Sequence, residues 1–149
     1  MAVIFHSLHL PLPPARAFEL LSEPAHLERW LCESARVELR DGGRFELFWD
    51  LDQPDRNSTL GCRILCLRVP YQLCFEWKGP PQFDALMNHL EPLTAVTLTC
   101  FVQADGSLLC LQHGGWPAGA EEARRWFSAV WSHALQRLQD YAAEIDQLS

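Results

Sequence analysis

The period of apolar positions changes along the chain, and each change marks an element. "VIFHSLHL", near the start, is short and β-prone and suits a first strand. In "LPPARAFELLS", Pro13 and Pro14 suit a helix start, and Ala17, Leu20 and Leu21 repeat at helical spacing. "EPAHLERWL" restarts at Pro24 as a second short helix, with Leu27, Trp30 and Leu31 on one side.

Strand signals then dominate. "ARVEL" leads to the turn residues "DGG", and "RFELFWDL" alternates with Phe45, Leu47, Trp49 and Leu51 on one face. After the polar loop "DQPDRNS", "LGCRILCLRV" runs to Pro70, and "QLCFEW" places Leu73, Phe75 and Trp77 on one side. "KGPPQFDALMNHLEP" reads as an irregular connection, long for a hairpin. "LTAVTLTCFVQ" sends Val96, Leu98, Cys100 and Val102 one way and Thr97 and Thr99 the other. A tight turn at "ADG" follows, and "SLLCLQHGGW" then aligns Leu109, Leu111 and His113.

From about Ala120 to Ile145 the period returns to that of a helix, roughly 39 Å long at 1.5 Å per residue. Its stripe holds Ala123, Phe127, Val130, Ala134, Leu138, Tyr141 and Ile145, and is widened by Trp131, Leu135 and Ala142. A stripe this wide needs a large apolar surface, and only the inner face of the strands supplies one. The order predicts an α+β fold: about six to seven antiparallel strands curved around a long C-terminal helix, with two short helices after strand 1.

Two tryptophans of this last helix cannot share one narrow stripe. Trp126 and Trp131 are five residues apart, or roughly 140° around the axis. Trp131 belongs to the core stripe. Trp126 shares a flank with Val130, His133 and Arg137, where it covers a loop such as "HGGWP", lines a cavity mouth or meets a second copy.

The totals narrow the function classes. The 149 residues are 48% hydrophobic and 21% charged, which fits a single domain over 1–149. Twelve basic residues face nineteen acidic ones, for a net charge of −7, and Lys78 is the only lysine. With no basic cluster, nucleic acid is not an expected partner. The N-terminus has no secretory pattern and no stretch approaches the ~20 apolar residues of a membrane span, so a cytoplasmic location is expected. In that setting the six cysteines read as small buried hydrophobes.

Metal and cofactor motifs do not fit. In a strand Cys62 and Cys66 stand about 13 Å apart, too far to share an ion. Asp50, Asp52 and Asp55 suggest a calcium loop, but the fifth position is Pro54 and the sixth is not glycine. Asn57-Ser58-Thr59 matches the glycosylation pattern by chance in a chain without a secretion signal. No phosphate loop, G-x-S-x-G or C-x-x-C occurs, so neither a metal nor a cofactor is expected.

Taken in order, the elements resemble the START/SRPBCC (helix-grip, Bet v 1-like) superfamily. Within it, the chain resembles the C-terminal domain of heat-shock protein 90 ATPase activators and their bacterial homologues. "PPARAFELLSEPAHLERWL" is similar to that family's opening helices and "GGRFELFWD" to its Gly-Gly-Arg-Phe strand. "GCRILCLRVPYQLCFEW" resembles its hairpin, and "VTLTCFVQADGSLLCLQHGGWP" its next strand pair and loop. Trp131, Leu135, Leu138 and Tyr141 match its closing-helix pattern. Val130 stands where the family often has glycine, which implies a smaller cavity, and "VPYQ" stands where a double proline is common.

The resemblance implies a cavity between sheet and closing helix that binds a hydrophobic or amphipathic small molecule. Its expected lining is Phe45, Leu47, Trp49, Phe75, Trp77, Leu98, Cys100, Leu111, His113, Trp126, Phe127, Val130 and Trp131. The same side chains can instead simply fill the core. His113 is either a ligand or acid/base group in that cavity or a satisfied core histidine. Glu76 falls on the outer parity, and His89 is an exposed loop residue or a cap over the cavity. Two other readings stay open: a co-chaperone-like protein-interaction module, and a cyclase/dehydratase-like enzyme using His113. Either a monomer or a homodimer fits.

Overall fold

The structure, a computed structural model, describes residues 2–148. Its elements run β1 (Ile4–Leu10), α1 (Pro14–Ser22), α2 (Pro24–Trp30), β2 (Ser34–Val37), β3 (Phe45–Phe48), β4 (Ile64–Arg68) and β5 (Gln72–Glu76). A 3-10 turn (Pro81–Phe83) leads into α3 (Asp84–Met87), then β6 (Ala95–Gln103), β7 (Gly106–Gly114) and α4 (Glu121–Gln147). The predicted α+β helix-grip arrangement is present, with both early helices starting at proline.

The strands hydrogen-bond as five plus two. One antiparallel sheet has the order β1-β7-β6-β5-β4, and β2 and β3 form a separate ribbon. The Arg44–Arg63 bridge and the Ile64 N–H, which donates to the Gly43 carbonyl at 2.8 Å, join the two, and Phe48 bridges to Ser58 in the connection between β3 and β4. The β6–β7 hairpin pairs Gln103 with Gly106. A Cβ at residue 106 would sit 2.1 Å from the Leu10 carbonyl oxygen, so only glycine fits where the turn passes the end of β1.

The helix α4 buries Ala123, Phe127, Trp131, Ala134, Leu135, Leu138, Tyr141 and Ala142. The sheet contributes Leu73, Phe75, Val96, Leu98, Leu109 and Leu111 to the same core. Full burial of each large side chain is worth about 1.5–3 kcal/mol. Acidic Glu121 and Glu122 occupy the first turn, where negative charge favours the helix dipole.

Two expected inward residues are exposed. Leu51 is 60% exposed because the strand ends at Phe48 and the chain turns into the polar loop. Val102 keeps the inward parity of β6 but lies near the hairpin tip, and is 69% exposed. The segment read as irregular contains the 3-10 turn and α3. Asn88 closes it by accepting from the Gly79 N–H at 2.7 Å and donating to the Gly79 carbonyl at 2.9 Å.

The two flanks of α4 are held differently. Along β1, His6 Nε2 bonds the Ser128 carbonyl at 3.1 Å, and Gln139 Nε2 donates to the His9 carbonyl at 3.1 Å. On the other flank Arg137 Nε donates to the Trp30 carbonyl at 3.1 Å, and N-terminal to that contact the helix faces a gap.

Candidate ligand cavity

The gap is a cavity of about 190 Å³ between α4, the end of β5 and the residue after β3. Six of the predicted residues line it: Trp49, Trp77, Trp126, Phe127, Val130 and Trp131. Its ring system is built from edge contacts. Trp77 meets Trp131 at 5.0 Å between centroids, Trp49 at 5.8 Å and Phe127 at 6.3 Å. Such offset and edge-on geometries are the favourable ones for aromatic pairs.

Hydrogen bonds fix two of the indoles. Trp49 Nε1 donates to the Leu31 carbonyl at 2.8 Å, and Trp131 Nε1 donates to His113 Nδ1 at 3.1 Å. Trp77 differs. Its Nε1–H is buried without an acceptor among the described residues. A buried donor left unpaired costs about 1–3 kcal/mol.

Seven predicted lining residues do not reach the cavity. Phe45, Leu47, Phe75, Leu98, Cys100, Leu111 and His113 are buried in the packed core and do not line it, with His113 and Phe75 packed behind its wall rings. Phe45 and Phe75 stack on each other at 4.0 Å, which fills the space between β3 and β5. Strand parity gives the face a residue points to; it does not say whether a helix covers that point or leaves a gap beside it.

His113 is a satisfied core histidine. It is fully buried, its Nδ1 accepts from Trp131, and its Nε2–H donates to Thr94 Oγ1 at 3.1 Å. Trp116 lies 4.4 Å from its ring and donates its indole N–H to the His113 carbonyl. Burial pushes its pKa down to about 3, so the ring is neutral across the ordinary range. Both nitrogens are committed, which leaves none for acid/base work on a cavity ligand.

Trp126 covers a loop, though not the "HGGWP" segment. It packs edge-on against Phe83 at 5.5 Å and against Phe127 at 4.8 Å, and remains 38% exposed at the cavity mouth. His89 is exposed and bonds Asp84 at 3.0 Å, outside the cavity lining.

Six lining residues were not predicted: Leu31, Asn57, Lys78, Pro80, Ala134 and Arg137. Two had a signal. Lys78 is the only lysine and directly follows inward Trp77; Arg137 shares the helix flank of Trp126 and Val130. Lys78 Nζ donates to the Leu60 carbonyl at 2.8 Å, and Arg137 keeps only its Nε bond. Neither forms an ion pair among the described residues. A more polar trough of about 230 Å³ shares Leu31, Trp49 and Arg137 and adds Glu28, Arg29 and Glu33.

All six cysteines are free. Burial pushes Cys32 and Cys62 up to about 12 and Cys100 up to about 11, so these three stay protonated thiols. A group of Glu19, Glu23 and His26 lies close together, but His26 Nδ1 is bonded to the Tyr141 hydroxyl at 2.6 Å.

This combination of antiparallel sheet, gripped C-terminal helix and small aromatic cavity defines a helix-grip protein. The chain belongs to the Activator of Hsp90 ATPase homolog 1-like protein family, which it matches over residues 11–143. Solved structures share the fold. Protein MLL2253 from Mesorhizobium loti superposes with a TM-score of 0.75 at 19% identity, covering 93% of this chain and 95% of that one. The Aha1 dimer protein from Colwellia psychrerythraea gives 0.73 at 15% identity, covering 94% and 95%. CalU16 from Micromonospora echinospora gives 0.70 at 22% identity, covering 93% and 73%. No curated protein sequence matches the chain.

Proposed function

We propose that this protein is a small-molecule-binding module that holds an apolar or amphipathic ligand between α4 and the sheet. One observation carries the reading: five aromatic rings, those of Trp49, Trp77, Trp126, Phe127 and Trp131, wall an unfilled space of about 190 Å³. Packed interiors leave few voids larger than a water, and aromatic-walled pockets with a few polar groups are what small ligands occupy. Val130 fills part of the space the family's frequent glycine would leave, so the ligand is small. The module works in the cytoplasm.

The test is titration of the protein with 1-naphthalenemethanol, followed by tryptophan fluorescence. Saturable quenching is expected, and Val130→Phe, which occludes the cavity, abolishes it while leaving the protein folded. Non-saturable quenching in the unsubstituted protein overturns the reading. Native mass spectrometry of freshly purified protein would identify a co-purified ligand directly.

A second reading, a protein-docking module, rests on exposed apolar side chains at one end of the sheet. Val69, Tyr71, Phe101 and Val102 are 60%, 49%, 51% and 69% exposed. The Tyr71 carbonyl accepts from the Cys100 N–H, which brings the two pairs together. A second copy, as in the Colwellia Aha1 dimer, or a chaperone is the partner class this reading names. Sedimentation of the protein and of Phe101→Glu distinguishes self-association from none.

A further inference from the structure

We infer that the cavity selects a small aromatic carboxylate: one ring with a short arm, or two fused rings, whose anionic end is met by Lys78 and Arg137. The inference rests on the small-molecule reading above and adds size and charge to it.

Size comes from the cavity itself. A dry apolar cavity of about 150 Å³ accepts benzene, so one of about 190 Å³ admits a ring and a few further atoms. Shape comes from the walls. The rings of Trp49, Trp77 and Trp131 meet at tilted and edge-on angles, between 47° and 72°, and a flat aromatic ligand suits a wall of this kind.

Charge comes from a local imbalance. The chain carries a net −7, yet its only lysine and one of its arginines line this cavity and no carboxylate does. Both cations lack an ion-pair partner among the described residues. Glu28 and Glu33 line the adjoining trough with Arg137, and Lys78 also borders a smaller recess with Asp55 and Asp84, pairing with neither. An apolar recess rimmed by two unpaired cations favours an anion at its mouth.

The experiment is calorimetric titration of the full chain with three naphthalenes that differ in charge: 1-naphthoate, 1-naphthalenemethanol and 1-naphthylmethylamine. The acid is expected to bind about tenfold more tightly than the alcohol, and the amine least well. Lys78→Gln and Arg137→Gln should each bring the acid-to-alcohol affinity ratio down toward one. Arg137→Lys should retain part of the acid's advantage, which separates charge from the Trp30 contact; circular dichroism confirms that each variant is folded. Equal binding of acid and alcohol, or an unchanged preference in both glutamine variants, overturns the charge selection and leaves the cavity reading standing. Failure of both the acid and the alcohol to bind overturns the two together.

Discussion

The two flanks of α4 show how one helix can be both a structural plug and the wall of a site. Along β1 the flank is tied, with side chains from both elements bonding across to backbone carbonyls at Ser128 and His9, and the space left there is a polar-lined groove of about 320 Å³ bordered by His6, Ser7, Gln136 and Gln139. Along β5 and the residue after β3 the flank is lined with rings that meet each other but leave space. Backbone-directed bonds fix distance, whereas bulky rings meeting edge-on prop elements apart. The difference is one of side-chain type, not of helix position.

The comparison breaks most visibly at Trp131, which serves both sides. Trp131→Ala should cost about 3–5 kcal/mol in urea unfolding, because it empties the largest buried volume of the helix and strands His113 Nδ1. An effect below about 1 kcal/mol would show that the ring is not wedged.

Acid comes next. The folded pKa of His113 is about 3 against an ordinary 6.5, so below pH 6.5 the unfolded chain takes up a proton the native state refuses. The stabilisation is present above pH 6.5 and is lost as pH falls toward 3. It should amount to about 2 kcal/mol between pH 7.5 and pH 5. His113→Leu should flatten that part of the pH–stability curve while lowering stability at neutral pH, readable by urea titrations at both values.

Gln139→Ala removes one strap of the β1 flank and should lower stability by about 1 kcal/mol in thermal unfolding. Val130→Phe on the open flank should change it least, within about 1 kcal/mol, since the added ring enters existing space. A penalty larger than that of Gln139→Ala would mean the aromatic flank has no room for another ring.

These contrasts also explain what the sequence made legible. Period-two runs at 95–103 and 106–114 and the long helical stripe define their elements because a half-buried strand and an amphipathic helix each impose their period. The buried status of Trp131, Phe75 and Leu98 follows from the same parity. The placement of the cavity does not, because a gap depends on how far a helix stands from its sheet and where its end falls. Phe45 and Trp49 share a parity, yet one is stacked under Phe75 and the other walls the cavity. Leu31, Asn57 and Pro80 arrive from loops and a helix end whose courses no periodicity encodes. Arg137 was visible through helix angle alone, on the flank it shares with Trp126.

The position of β1 sets the order in which this chain is able to finish folding. It is an edge strand whose ladder partner is β7, with Ile4 opposite His113, and the helix it straps is α4. At translation rates of ~5–20 residues per second, the first strand waits on the order of ten seconds for its neighbour to be made. During that interval its inward residues Ile4 and Leu10 have no sheet to join, so ribosome-bound chains halted before residue 106 should expose the N-terminal segment to protease, and released full-length chains should not.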